Sequence, residues 1–352
     1  MSELKTYLQQ AVEAGASDFF IVAGAPASIK LEGKLHPISD KKLLPPDTGA
    51  LIEEMYALAK RDMGSCLAGG DDDFSFAIPG TARFRVNTYR QRGSLAAVVR
   101  VVAFSIPDWK EFGIPEAVMD LAELSHGLVI VTGTAGSGKS TTQACIIDRI
   151  NRSRSCHIIT LEDPIEYLHR NNRSIVSQRE IAIDTADCLS GLRACLRQAP
   201  DVILLGEMRD AETIHTAMTA AETGHLVIST LHTRGAANAI DRVVDAFPAS
   251  QQAQVKVQLS MVLETVVSQQ LIPGVDGELV PAFELLHMTP ATRSLIRDGK
   301  THQLAGAMAG GSDSGMVTMD QSILALFHLG RISRETALDY AENPEQLARR
   351  LG

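Results

Sequence analysis

Residues 126–142 read His126-Gly-Leu-Val-Ile-Val-Thr-Gly-Thr-Ala-Gly-Ser-Gly-Lys-Ser-Thr-Thr142. An apolar strand, Leu128 to Val131, runs straight into Gly133-x-x-x-x-Gly138-Lys139-Ser140, and a helical pattern follows from Thr141 to Ile150. A strand this apolar must be buried on both faces, which implies a parallel sheet covered by helices. The loop between strand and helix is a phosphate cradle, because glycines let backbone N–H groups approach a triphosphate without side-chain clash. Gly133, Thr134, Ala135, Gly136, Ser137, Gly138, Lys139, Ser140 and Thr141 are its candidate residues. Lys139 is placed to reach the β- and γ-phosphates and Ser140 to ligate Mg²⁺, with the positive end of the following helix aimed at the anion. The alternative is a glycine-rich turn without a ligand, and the flanking strand and helix argue against it.

With 352 residues the chain is too long for one small core, which suggests two domains. Its 45% hydrophobic and 21% charged content is that of an ordinary soluble globular protein. A net charge of −9 argues against broad binding to a phosphate backbone, so nucleic acid is not an expected partner. No stretch approaches the roughly 20 apolar residues of a membrane span, and Met1-Ser-Glu-Leu-Lys5 lacks a signal-peptide core. These features point to the cytoplasm. The cysteines at 66, 145, 156, 188 and 195 never form Cys-x-x-Cys, so they read as small buried apolar residues and not as a disulfide or zinc framework.

Along the first hundred residues, Leu4, Leu8, Ala11 and Val12 recur at helical spacing. Strands are expected at Asp18–Val22 and Ser28–Leu31, with Glu32-Gly33-Lys34 as a turn. A second helix begins after Pro45-Pro46 and runs through Leu51, Met55 and Leu58. Strands follow near Asp73–Ile78, Ala82–Tyr89 and Leu95–Val102, making residues 1–104 an α+β domain. Two prolines and a glycine in residues 105–115 suggest an extended interdomain linker with a hinge. From 116 to 289, strands near 128–132, 157–162, 202–206 and 226–230 alternate with helices, which places a nucleotide at the strands' carboxyl ends. A long helix over Gln251–Gln270 and a strand over Leu279–His287 complete this part. Residues 290–352 read as short helices at 291–298, 319–329, 333–341 and 344–350, and Gly310 to Gly315 as a flexible break.

Three further strand ends carry polar chemistry. Asp201-Val-Ile-Leu-Leu-Gly-Glu207 presents Glu207 to orient and activate an attacking water; Gly206 stands where an aspartate would hold Mg²⁺. The competing reading of Glu207 is a charge at a helix N-terminus. In Glu162-Asp163-Pro-Ile-Glu166, three carboxylates beside a triphosphate imply an intervening Mg²⁺, with Glu162 and Asp163 nearest its water shell and Glu166 solvated. His232 closes the strand begun by His225 and is placed to sense the γ-phosphate, whereas His225 satisfies backbone. Arg83, Arg85, Arg90, Arg92 and Arg100 crowd the last strands of the first domain. Of these, Arg85 and Arg100 are the candidates for stabilising a phosphoryl group bound by a neighbouring subunit.

Taken in order, these motifs resemble the secretion ATPase superfamily in its type IV pilus retraction branch. The resemblance rests on Arg83-Phe-Arg-Val-Asn87, the phosphate loop, Leu161-Glu-Asp-Pro-Ile-Glu166 and Gly206-Glu-Met-Arg-Asp210. It continues through Thr219–Val227, Thr230-Leu-His-Thr233 and Ile240–Pro248. It implies an α/β architecture: a PAS-like N-terminal α+β domain, a RecA-like P-loop ATPase domain and a helical C-terminal extension. It further implies a homohexamer that hydrolyses ATP with Mg²⁺ and drives pilus retraction and twitching motility. Such a motor works through an inner-membrane platform protein and reaches the cytoplasmic face of that membrane only through partners. The branch's C-terminal motif is matched at five of seven positions by Ala291-Thr-Arg-Ser-Leu-Ile-Arg297. Ser17-Asp-Phe-Phe20 departs from the family's Ser-Asp-Leu-His in the first domain. Alternatives are an accessory pilus or type II secretion ATPase, and a regulatory scaffold that binds ATP with little hydrolysis.

Overall fold

A computed structural model describes residues 2–31, 33–102, 106–310 and 315–351. The chain forms two compact units, Met1–Ser105 and Ile106–Gly352. In the first, six strands pair antiparallel in the order β3-β2-β1-β6-β5-β4. These are β1 (Asp18–Ile21), β2 (Pro26–Leu31), β3 (Lys34–Lys42), β4 (Asp72–Ile78), β5 (Ala82–Gln91) and β6 (Ser94–Val102). Helices α1 (Glu3–Glu13) and α2 (Pro45–Ala59) bury Leu4, Leu8, Ile52 and Met55 against Phe19, Phe84 and Val99 of the sheet, and the short α3 (Gly64–Gly69) adds Cys66. Along β5 the period-2 rule puts Phe84 and Val86 into this core and Arg85 on the other face.

The second unit is built on seven strands in the order β13-β12-β7-β11-β10-β8-β9. They are β7 (Gly127–Thr132), β8 (His157–Glu162), β9 (Ile175–Glu180), β10 (Val202–Leu205), β11 (Leu226–Leu231), β12 (Leu263–Pro273) and β13 (Leu279–His287). All neighbours pair parallel except β12 with β13. Every residue of β7, β10 and β11 is buried, as strands covered on both faces require. One face carries α4 (Glu116–Met119) and α5 (Lys139–Ser153) over Val129, Val131, Ile158 and Val202. The other carries α6 (Cys188–Cys195), α7 (Ala211–Glu222), α8 (Ala236–Asp245) and α9 (Ala249–Val262) over Leu128, Ile130, Ile203 and Val227. Helices α10 (Pro290–Arg297) and α11 (Leu304–Ala309) extend that layer through Ile296, Leu304 and Met308. The last three, α12 (Met319–His328), α13 (Arg334–Tyr340) and α14 (Pro344–Arg350), close a separate apolar cluster with Ile272, Val280 and Ala282 of the β12–β13 hairpin.

Three expectations are corrected. The helix over Gln251–Gln270 stops at Val262, and the chain continues as β12, pairing parallel with β7. The β-branched run Thr265-Val266-Val267 favours a strand, and burial between β7 and β13 decides it over the helix-forming glutamines. Residues 106–115 are no free linker: they belong to the second unit, where Ile114 is buried, Ile106 and Trp109 pack on the core, and Arg149 lies over the Trp109 ring. Strands β3 and β9 were not expected, because they are edge strands whose polar, half-exposed residues carry little periodic signal. The expectations at Glu32, at Ser105 and at 311–314 of the flexible break lie outside the described residues. Cys66, Cys145 and Cys195 are buried, and Cys156 and Cys188 half-buried.

Candidate active site

After the carboxyl end of β7 the backbone takes positive φ values that favour glycine. Gly133 adopts φ +151° and Gly138, the residue before α5, φ +88°. A Cβ on Gly133 would lie 2.4 Å from the Gln269 carbonyl oxygen and 2.5 Å from Ser137 Oγ, and one on Gly138 2.8 Å from Gln269 Nε2. The loop therefore rests directly on β12, and only glycine fits at these two positions. Gln269 is itself fixed, since Thr142 Oγ1 donates to its Oε1 at 2.7 Å. Sequence reasoning missed Gln269, because nothing local ties it to a loop more than a hundred residues away.

Lys139 is buried, and its Nζ donates to the carbonyl oxygens of Gly133 and Thr134, both at 2.8 Å. Burial holds its pKa below the ordinary lysine value, and the charge of Glu166 works in the opposite direction. Ser137 Oγ is buried with no hydrogen-bond partner among the described residues. The first amides of α5 have no intrahelical acceptors, so the loop collects donors and positive charge at one point. Ala135, Gly136, Lys139 and Ser140 line a cleft of about 610 Å³, whereas Gly133, Thr134, Ser137, Gly138 and Thr141 shape the loop behind it. Thr141 Oγ1 is 2.9 Å from the Tyr167 hydroxyl.

Three neighbouring strand ends complete the cleft. Beyond β8, Glu162, Asp163 and Glu166 all line it. Glu162 Oε1 accepts from Thr160 Oγ1 at 2.6 Å and from Gln178 Nε2 of β9 at 3.2 Å. Burial raises the Glu162 pKa, and these two hydrogen bonds oppose the rise. Beyond β10, Glu207 is held on both oxygens: Arg209 Nε donates to Oε1, and His232 Nε2 lies 2.9 Å from Oε2. His232 stands at the end of β11, where burial first, and then the charges of Lys139 and Arg209, hold its pKa below the ordinary histidine value. The next carboxylate, Asp210, is a helix cap that accepts from Thr213 N at 2.9 Å. His225 satisfies backbone, its Nδ1 donating to the Ala220 carbonyl at 2.9 Å.

Of the residues singled out for chemistry, Lys139, Ser140, Glu162, Asp163, Glu207 and His232 thus meet around one cleft. Arg209 joins them unassigned, although it stands two residues after Glu207 in the same motif. Arg85 and Arg100 do not line that cleft. They face each other across β5 and β6 of the first unit, beside a cavity of about 300 Å³ shared with Asp18, Asp73 and Asn87. Arg100 Nε donates to Asp18 Oδ1 at 3.2 Å. In the C-terminal motif, Arg293 donates to the Ser260 and Met261 carbonyls and to Glu264, at 2.8, 2.9 and 2.8 Å, while Arg297 is exposed.

The chain is similar to known proteins over nearly its whole length. Residues 1–307 match the family model described as Type II/IV secretion system protein. The chain is 44% identical over 332 residues to the type IV pilus retraction ATPase PilT of Pseudomonas aeruginosa, covering 94% of this chain and 96% of that one. It is 39% identical over 347 residues to the type IV pilus ATPase PilU of the same organism, covering 98% and 90%. Among solved structures, that of the pilus retraction motor PilT with bound ADP superposes with a TM-score of 0.91 at 43% identity, covering 99% of both chains.

Proposed function

Because the chain belongs to the type II/IV secretion system protein family, we propose that it is the ATP-hydrolysing motor of type IV pilus retraction, acting as a homohexamer. The observation that carries this reading is 44% identity to a pilus retraction ATPase over nearly the whole of both chains. A cleft that gathers Lys139, Glu207 and His232 supports it. The motor works at the cytoplasmic face of the inner membrane through a platform protein. No helix among the described residues is long and apolar enough to cross a membrane.

The residues present fit a magnesium nucleotide. Lys139 spends its ammonium on two neutral carbonyls, and phosphate oxygens would replace them with stronger, charge-assisted bonds. Among the described residues no three His, Cys, Asp or Glu side chains are grouped to cage a metal. The Ser140 hydroxyl and the Asp163 carboxylate, with Glu162 through water, would hold Mg²⁺, whose remaining ligands come from phosphate and solvent. When bound, the ion neutralises charge on the triphosphate. Glu207 orients the attacking water and takes its proton. His232, kept neutral, steadies Glu207 through Nε2 and senses the γ-phosphate. Arg85 and Arg100 supply positive charge to a neighbouring subunit's nucleotide.

Steady-state phosphate release by the purified protein tests the reading, with Lys139→Ala as control. Wild type should turn over ATP and the variant should not; equal, near-background release from both would leave a nucleotide-binding scaffold. The similarity to PilU over 98% of this chain favours a second reading, an accessory pilus ATPase. Deleting the gene separates the two. Loss of the retraction motor leaves surplus surface pili, whereas loss of an accessory leaves retraction running.

A further inference from the structure

Glu284, on β13, is 5% exposed and takes no part in the cleft chemistry. Its two oxygens serve two different helices. Oε1 accepts from the amide of Ala236, the first residue of α8, at 2.6 Å, and Oε2 accepts from the amide of Met319, the first residue of α12, at 3.3 Å. Both donors are orphan amides of a helix start, which need an acceptor when buried. An apolar residue would leave both unpaired.

What lies on each side of this carboxylate gives it meaning. Helix α8 begins four residues after His232, and the intervening loop is tied to the phosphate-loop strand. Thr132 Oγ1, next to Gly133, lies 2.5 Å from the Thr233 carbonyl and 2.8 Å from Thr233 Oγ1, and Gly235 N donates to Ser268 Oγ at 3.0 Å. On the far side, Asp320 accepts from the amides of Glu342 and Asn343 at 2.7 and 3.0 Å, which joins the start of α12 to the α13–α14 connection. Helices α12, α13 and α14 also share one apolar cluster, which they close together with the β12–β13 hairpin.

We propose that Glu284 is a positioning residue that couples the His232–Gly235 loop to the C-terminal helices, so that filling the cleft with nucleotide shifts α12–α14. The inference rests on the ATPase reading. It assigns the C-terminal helices as the part of this unit that reports nucleotide state. The neighbouring Glu342, whose carboxyl lies near Gly235, has its pKa pushed up to about 7 by burial, Glu284 and Asp320, so it is about half neutral at pH 7.

Hydrogen–deuterium exchange of residues 319–350, with and without the non-hydrolysable analogue AMP-PNP, tests the coupling in wild type and Glu284→Gln. The glutamine keeps shape and one acceptor, but its NH₂ group faces an amide donor. Wild type should change protection at 319–350 on binding AMP-PNP. Glu284→Gln should bind AMP-PNP within about twofold of wild type and lose that change. Ala236→Pro, which removes the donor at a helix position where proline is tolerated, provides the same test from the other side if the glutamine variant does not fold. AMP-PNP binding with an unmoved C-terminal region in wild type, or a retained response in the variants, overturns the coupling alone. No AMP-PNP uptake by wild type overturns the ATPase reading and the coupling with it.

Discussion

His232 Nε2 lies 2.9 Å from a carboxylate oxygen of Glu207, joining the ends of two adjacent parallel strands, β11 and β10. The other oxygen of Glu207 is taken by Arg209. The carboxylate proposed to orient water is therefore held on both sides.

Glu207→Gln should leave AMP-PNP affinity nearly unchanged while lowering turnover about 100- to 10,000-fold, the range for loss of a positioned general base. Parallel measurements of phosphate release and fluorescent-nucleotide binding check this. Turnover within tenfold of wild type would remove Glu207 from the water-activating role.

Two loop glycines should behave differently. Gly133→Ala drives a Cβ into the Gln269 carbonyl, which is backbone and cannot swing away, and should cost about 2 to 4 kcal/mol of stability. Gly136 has φ +76° but open space around the missing Cβ, so Gly136→Ala should cost only about 1 to 2 kcal/mol. Urea unfolding without nucleotide ranks the pair, and equal costs would contradict the described contact with β12.

His169 makes stability depend on pH. Burial lowers its pKa from the ordinary 6.5 to about 4, and its Nδ1 is buried without a partner among the described residues. The unfolded chain binds this proton more readily, so stability is complete above pH 6.5 and drains away as pH falls toward 4, by about 3 kcal/mol. Replacing His169 with Gln should flatten the curve in that window. Identical pH dependence in the two proteins would show that another group governs it.

The two arginines of the C-terminal motif divide their labour. Arg293→Ala removes three charged hydrogen bonds at the end of α9 and should cost about 2 kcal/mol. Arg297→Ala, at an exposed position, should change stability by no more than about 0.5 kcal/mol. Thermal melts of the two variants settle whether the motif's first arginine is structural.

Much of the site was legible because its residues lie where local pattern is strongest. Lys139, Glu162, Glu207 and His232 each follow an apolar strand, and in a parallel sheet every such carboxyl end opens on the same edge. Family resemblance added the PAS-like and RecA-like identities, which periodicity alone does not supply. Gln269 and Gln178 stayed hidden, since a glutamine carries no mark of the loop or carboxylate it supports. The stretch 106–115 misled for the opposite reason. Its prolines and glycine signal a break, while the anchoring of Ile106, Trp109 and Ile114 depends on a core assembled from distant residues.

The sequence by itself determined the strand–loop–helix unit around Gly133 and Ser140, the alternation that demands a parallel sheet, and the acidic and histidine strand ends. Backbone conformation and burial periodicity are properties of near neighbours, so they can be read in line. Only the tertiary structure decided that residues 263–273 leave the helix to pair with β7, that Arg209 and His232 share one carboxylate, and that Glu284 caps two helices at once. Those outcomes follow from which strands become neighbours, and pairing across long stretches of chain is set by the free energy of the whole sheet and not by any one segment of it.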